Sequence, residues 1–163
     1  MQSCTPQALR GRLVSVRTPA EALALGEPSM GALVRAEGGD AKRIKAIVKL
    51  QCVYMNDMLN LPRGLSEAMI ERIAETAVTR YRWLTIPDVQ LIFERAISGQ
   101  WNGGNYYSTV NVPMVESWFA RYADERMDAA EARSIEEAAQ HKEWYERGSE
   151  ADWRRRIERM MKK

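Results

Sequence analysis

Apolar residues recur at steps of three and four along most of the central chain, and this spacing limits the fold more than any other feature of the sequence. Such steps place apolar side chains on one face of a helix. Four stretches show them, 40–60, 66–84, 85–98 and 111–122, and glycine or proline turns separate the stretches. The pattern predicts an all-α fold, a compact helical bundle with shorter helices between residues 18 and 36.

The predicted helix starts carry short polar side chains, which accept hydrogen bonds from the free N–H groups of a first helical turn. Thr85 with Asp88 three positions later resembles a capping box. The stripe of the first long helix contains Ile44, Ile47, Val48, Gln51, Met55, Met58 and Leu59, and Leu50, Tyr54 and Leu61 widen it. This width predicts a mostly buried helix. The predicted N-caps are Thr18, Ser29, Asp40, Ser66, Thr85 and Asn111.

Residues 99–111 lack helical periodicity and contain three aromatic side chains, Trp101, Tyr106 and Tyr107. The Asn102-Gly103 pair is typical of hairpin turns, so the segment is predicted to be a short aromatic loop or hairpin. Either its rings cover the helical core as a lid, or at least one stays exposed to anchor a partner, since aromatic residues dominate interface hot spots. We expect the turn to project Trp101 outward, and all three are candidate partner-binding residues.

The C-terminal part of the chain separates its charges. Residues 112–152 carry 5 basic and 11 acidic groups, whereas 153–163 carry 6 basic and 1 acidic group. The apolar line thins after Tyr122, which predicts that a helical core domain (18–122) ends there and that a charged helical extension (123–163) follows. Residues 1–17, before the first predicted helix, are expected to form a flexible N-terminus. Gly148-Ser149 is expected to break the extension's helix.

Two kinds of contact are predicted in this extension. Trp144, Tyr145 and Trp153 are large apolar groups in a polar region, so they either fold back onto the core or bind a partner protein. The basic end is either a nucleic-acid contact or a solvated last turn that complements the helix dipole. Its candidate nucleic-acid-binding residues are Arg154, Arg155, Arg156, Arg159, Lys162 and Lys163.

Residues suited to catalysis are sparse. His141 is the only histidine, and Cys4 and Cys52 form no metal-binding pair. Asp124, Asp128 and Glu131 have a spacing that could gather carboxylates around magnesium but is more typical of a solvated face. No phosphate-binding glycine loop is present. The sequence thus predicts a non-enzymatic protein without metal or cofactor.

The hydropathy of the chain argues against a membrane-spanning or a secreted protein. No apolar stretch reaches the roughly 18 residues that a membrane span needs, and the N-terminus resembles no secretory signal. We therefore expect a cytoplasmic protein that does not bind membranes.

The cluster Arg80-Tyr81-Arg82-Trp83 has the composition of a base-stacking surface, although Tyr81 belongs to an apolar stripe and is expected in the core.

One stretch of the chain combines a Y-x-x-L-T-x-x-D motif that begins at Tyr81, a short glycine- and tyrosine-rich turn, and a W-(F/L)-x-x-Y-x-x-E-R motif that begins at Trp118. This pattern resembles that of small uncharacterised helical proteins of phages and mobile elements of gut Bacteroidetes. The architecture, a helical head followed by a polar helical tail, also resembles phage helicase loaders. The resemblance implies an accessory or adaptor protein in DNA replication; a nucleic-acid-binding protein and a structural protein assembled through its C-terminal helix remain the alternatives. The matching residues are Tyr81, Leu84, Thr85, Asp88, Phe93, Gly99, Tyr107, Trp118, Phe119, Tyr122, Glu125 and Arg126.

Overall fold

The computed structural model describes residues 16–104 and 107–161, with the backbone alone at 146–152, 156 and 159. Within these residues the chain forms six α-helices, no β-strand and one 3₁₀ turn, so the predicted all-α class is confirmed. The elements are α1 (Pro19–Ala24), α2 (Met30–Ala36), α3 (Lys42–Leu59), α4 (Glu67–Arg80), α5 (Ile86–Ile97), the 3₁₀ turn (Gln100–Asn102) and α6 (Val112–Met161).

The helix starts follow the predicted caps. The side chains of Thr18, Ser29, Ser66 and Thr85 each accept a hydrogen bond from a backbone N–H in the first turn that follows. Asp40 acts one residue further out than predicted, because Ala41 is the N-cap and Asp40 Oδ1 accepts from Lys42 N–H at 2.9 Å. Local hydrogen bonding therefore sets where most of these helices begin.

Helices α3 and α4 are antiparallel neighbours joined by a short turn. Asn56 closes the turn because its amide both donates to Leu65 C=O and accepts from Leu65 N–H, each at 2.9 Å. Lys45 pairs with Glu75 and Lys49 with Glu71 across the two helices. The salt bridge with Glu75 raises the pKa of Lys45, and the one with Lys49 lowers the pKa of Glu71.

The first turns of α6 complete the core. Phe119 lies 5.3 Å from Tyr81 and 6.1 Å from Phe93, measured between ring centroids. The start of α2 is tied to the α4–α5 turn, because Gly31 N–H donates to Arg82 C=O at 2.7 Å. A Cβ at Gly31 would lie 3.1 Å from that same oxygen, so this close approach favours glycine.

Helix α6 continues beyond the core. The chain divides into two compact units, 1–126 and 127–163, while sequence analysis placed the boundary after Tyr122. The predicted break at Gly148-Ser149 is wrong, since α6 runs through both residues. One interior glycine costs a helix only about 1 kcal/mol, and the flanking glutamate, alanine and arginine residues favour helix. Among the described residues, no helix is long and apolar enough to cross a membrane.

Candidate interaction surfaces

The 3₁₀ turn places Trp101 inside the bundle, so the expectation that it projects outward is wrong. The side chain is 8% exposed, and its Nε1–H donates to Ile92 C=O at 2.9 Å. The guanidinium groups of Arg95 and Arg121 lie 5.2 and 4.9 Å from its ring centroid, within range of cation–π attraction. A hydrogen-bonded indole between two cations is a lid residue, as the alternative interpretation had it.

The remaining aromatic residues of this segment also contact the core where they are described. Tyr107 is half-buried with its ring centroid 5.4 Å from that of Trp118. Burial raises the pKa of Tyr107. Tyr106 lies outside the described residues. No strand or hairpin forms in the described part of 99–111, because the chain turns through Gly99 and Gly103 in left-handed conformations instead.

Asp88 is the centre of a buried polar network that joins α5 to α6. It is fully buried, and Thr85 donates to its Oδ2 through both N–H (2.8 Å) and Oγ1–H (2.9 Å). The Tyr122 hydroxyl donates to Oδ1 at 2.7 Å. Arg126 Nε lies 2.8 Å from Oδ2 as an ion pair, without the alignment of a hydrogen bond. These partners compensate the cost of burying the carboxylate.

This network includes residues of the motifs T-x-x-D and Y-x-x-E-R and shows their place in the fold. Burial, and then the adjacent Asp88 carboxylate, raise the pKa of Tyr122 well above its ordinary range. The Arg126 guanidinium also lies 5.4 Å from the ring centroid of Trp83. With every partner engaged in holding two helices together, the T-x-x-D and Y-x-x-E-R residues act as structural contacts between α5 and α6.

Helix α3 has an exposed apolar side as well as a buried one, so the prediction of a mostly buried helix is wrong. Leu50, Val53, Tyr54 and Met58 are 65, 44, 45 and 53% exposed, and their spacing places them on one side of the helix. We call these four residues the α3 face. The opposite side packs through Ile44, Val48, Cys52 and Met55. The apolar residues of α3 therefore form two stripes on different sides of the helix, one buried and one exposed, and not the single wide stripe that the spacing predicts.

Residues 127–161 of α6 present further exposed apolar groups. Trp144, Tyr145 and Trp153 are 68, 67 and 65% exposed, and Ile135 and Met160 are similarly accessible. The ring of His141 lies 6.1 Å from that of Trp144 on the exposed helix. The predicted partner-binding residues of the extension are thus accessible, whereas those described in the loop are buried or half-buried.

The predicted nucleic-acid contacts are only partly described. Arg154 and Arg155 are exposed on α6. Arg156 and Arg159 lie on the same helix, without a described side chain, and Lys162 and Lys163 lie outside the described residues. In the other basic cluster Arg80, Arg82 and Trp83 are exposed, while Tyr81 is buried as expected. The Arg80 guanidinium lies 5.7 Å from the Tyr81 ring centroid.

The residues considered for catalysis are not brought together. Burial raises the pKa of Cys52 to about 12, so its thiol stays protonated at neutral pH, and Cys4 lies outside the described residues. Asp124, Asp128 and Glu131 are exposed, and no potential metal-binding cluster of three side chains occurs in the described part of the chain. A shallow cavity of about 460 Å³ is lined by residues that include Arg17, Gln90 and Arg95.

Comparison with protein-family models, curated proteins and solved structures found no match to this chain.

Proposed function

We propose that the protein is a non-enzymatic adaptor that binds a protein partner through the α3 face. The observation that supports this function is the contiguous apolar surface formed by Leu50, Val53, Tyr54 and Met58 on an otherwise well-packed helix. Grouped exposed apolar residues are typical of protein-binding sites, and an aromatic residue at the centre is typical of a hot spot.

The neighbouring residues favour a rigid docking surface. Lys45 and Lys49 on α3 are paired with α4 carboxylates, and Asn56 fixes the turn after the helix. The helix backbone is therefore held in place from one side while the α3 face stays accessible. A preformed surface of this kind loses little conformational entropy on binding.

The resemblance to phage and mobile-element proteins bears on the kind of partner. We propose that the adaptor acts in DNA replication and that its partner is a replication protein of the same element. The predicted cytoplasmic location fits such a role. Replication proteins among the captured partners would support this part of the proposal, and a reproducible partner from another process would contradict it.

The α3 face is tested by introducing negative charge at two of its residues, in the double variant Leu50→Glu with Tyr54→Glu. Both side chains are accessible, so we expect nearly unchanged thermal unfolding and the loss of most partner capture from lysate of the source organism, quantified by mass spectrometry. Leu25→Glu is the matched control, because Leu25 is an exposed leucine (41%) outside the face. Equal capture by all three proteins would contradict the proposal.

A second candidate function is nucleic-acid binding through Arg80, Arg82 and Trp83 together with the basic end of α6. The exposure of Trp83 (37%) beside two exposed arginines favours it. Fluorescence anisotropy with single-stranded DNA at low and high salt provides the test, comparing the full chain, Trp83→Ala and a chain ending at Asp152. Loss of salt-dependent binding in either variant supports this function, and absence of binding by the full chain excludes it.

A further inference from the structure

We propose that the α3 face binds the α3 face of a second copy of this chain, in an antiparallel pair of helices around a two-fold axis at Leu50. The dimer follows from the surface of α3 itself. Its consequence, that pairing covers the surface on which the protein partner docks, rests on the proposed adaptor function. Two observations carry the inference: an uninterrupted apolar arc on α3 and opposite charges at the two ends of that arc.

The apolar arc extends the α3 face by one turn towards the start of the helix. Between Lys42 and Leu59, all of which the structure describes, every residue within about 60° of Leu50 around the helix is apolar or aromatic except the first and the last. Six of these seven residues are exposed, and Ile47 is half-buried. The buried stripe of α3 lies on the other side of the helix, so the arc is accessible to a second molecule. The arc consists of Arg43, Ala46, Ile47, Leu50, Val53, Tyr54 and Asp57.

The charges at the ends of the arc select a second copy as the occupant and fix its direction. Arg43 and Asp57 are both exposed and lie about 21 Å apart along the helix axis. A parallel pair would place each of them beside its own copy, with repulsion at both ends. An antiparallel pair places Arg43 beside the partner's Asp57 at both ends, which is attractive and suppresses the wrong orientation.

Arg43 is available for this contact although it already has a partner in its own chain. Its guanidinium lies 3.3 Å from the Glu37 carboxylate, yet the arginine side chain remains 79% exposed. A guanidinium has five N–H donors, enough to bind a second carboxylate. The contact with Glu37 therefore orients Arg43 without using up its hydrogen-bonding capacity.

The sizes of the apolar side chains agree with the same two-fold axis. With Leu50 on the axis, Ala46 lies beside the partner's Tyr54 and Ile47 beside the partner's Val53. The small Ala46 leaves room for the tyrosine ring, and alternation of small and large residues lets two helix surfaces interdigitate. Apolar residues repeated at three and four positions are also those of helices that pack lengthwise on one another.

The apolar arc is tested by sedimentation equilibrium of the full chain, which should show a dimer. Leu50→Glu should weaken the association constant at least about tenfold, because the axis places the new carboxylate beside its own copy in a desolvated contact. Leu25→Glu is the matched control and should leave the constant nearly unchanged, since Leu25 is exposed (41%) outside the arc. Circular dichroism checks that each variant is folded. A wild-type chain that sediments as a monomer, or equal effects of the two variants, would overturn the proposal.

The direction of the helices is tested by exchanging the end charges. Asp57→Arg should weaken the dimer about three- to tenfold, because an exposed ion pair becomes a repulsive contact at both ends. Adding Arg43→Asp to the same chain should restore the dimer, because each contact again joins opposite charges. Asp128→Arg, at an exposed aspartate on α6, is the control. In a parallel dimer Asp57→Arg would only exchange one pair of like charges for another, so an unaltered association constant would overturn the antiparallel arrangement.

The competition between the second copy and the protein partner is tested by locking the dimer. Leu50→Cys on the axis should form a disulfide between copies, in a Cys4→Ser background where the remaining natural cysteine, Cys52, is buried. The oxidised dimer should capture much less partner than the same variant after reduction, and equal capture by the two forms would overturn the competition. A wild-type chain that dimerises but captures no partner would contradict the adaptor function alone, whereas one that captures its partner as a permanent monomer would contradict the dimer alone.

Discussion

At the scale of single residues, the most informative side chain is Asp88, because its environment could be predicted only in part. Thr85 and Asp88 are three residues apart, and their reciprocal hydrogen bonds were predicted from that spacing. The contacts with Tyr122 and Arg126 connect positions 34 and 38 residues away. No local pattern indicates such contacts, so a surface capping residue and a buried carboxylate have the same sequence signature.

Tyr122→Phe should destabilise the protein by about 1–3 kcal/mol, because it leaves Asp88 Oδ1 buried without its donor. Tyr107→Phe is the matched control. The Tyr107 hydroxyl is buried and has no hydrogen-bond partner among the described residues, so we expect a change within about 0.5 kcal/mol. Urea unfolding followed by circular dichroism measures both. Equal losses would show that the Tyr122–Asp88 hydrogen bond contributes nothing specific.

Cys52 should make the fold sensitive to alkaline pH. Burial raises the pKa of its thiol from 9.0 to about 12, so the folded state holds the proton more tightly than the unfolded state. The resulting stability is fully present below pH 9 and is lost as the pH rises from 9 towards 12, by on the order of 4 kcal/mol in total. The raised pKa of Tyr122 acts in the same direction at still higher pH.

The measurement is the midpoint of thermal unfolding at pH 8 and at pH 10.5. We expect the midpoint of the wild type to be lower at pH 10.5 than at pH 8. The decrease should be smaller in Cys52→Ala, whatever the stability of that variant at pH 8. A wild-type midpoint that stays constant, or a variant that falls as steeply as the wild type, would contradict a role for the buried thiol.

At the scale of helices, the sequence predicted where each helix begins better than which side of it is buried. Caps such as Thr18 and Ser66 depend on atoms two or three residues away, so their signal is local. Whether the Leu50 and Tyr54 side of α3 is covered depends on which helices reach it, and this is set by tertiary packing. The same distinction explains Trp101, since its outward projection was inferred from the adjoining turn, whereas Arg95, Arg121 and Ile92 C=O determine its position.

The continuity of α6 can be tested at Gly148, where sequence analysis expected a break. A glycine in a helix interior costs about 1 kcal/mol relative to alanine. Gly148→Ala should therefore increase the helical signal in circular dichroism and slow hydrogen exchange of the neighbouring amides. Gly38→Ala is the contrasting control, because Gly38 has a φ of +72° and alanine is strained there. If Gly148→Ala lowered the helical content, the continuous helix would be contradicted.

At the scale of the whole molecule, the division after Arg126 separates two kinds of structure. The first unit has an apolar core that includes residues from α2 to Ala123. Its last long-range ion pairs from α6 are Glu125 with Arg95 and Arg126 with Asp88. The second unit exposes Ile135, Trp144 and Trp153. Stability is therefore expected to depend on the first unit.

A chain ending at Ala130 should unfold with a free energy within about 0.5 kcal/mol of the full chain, because the core cluster contains no described residue after Ala123. A chain ending at Ala123 should lose roughly 3–5 kcal/mol, since removing Arg126 leaves the buried Asp88 carboxylate without its cation. Urea unfolding followed by circular dichroism measures the free energy of unfolding of all three chains. If the chain ending at Ala130 were strongly destabilised, residues 131–163 would contribute to the stability of the core, and the expectation would be wrong.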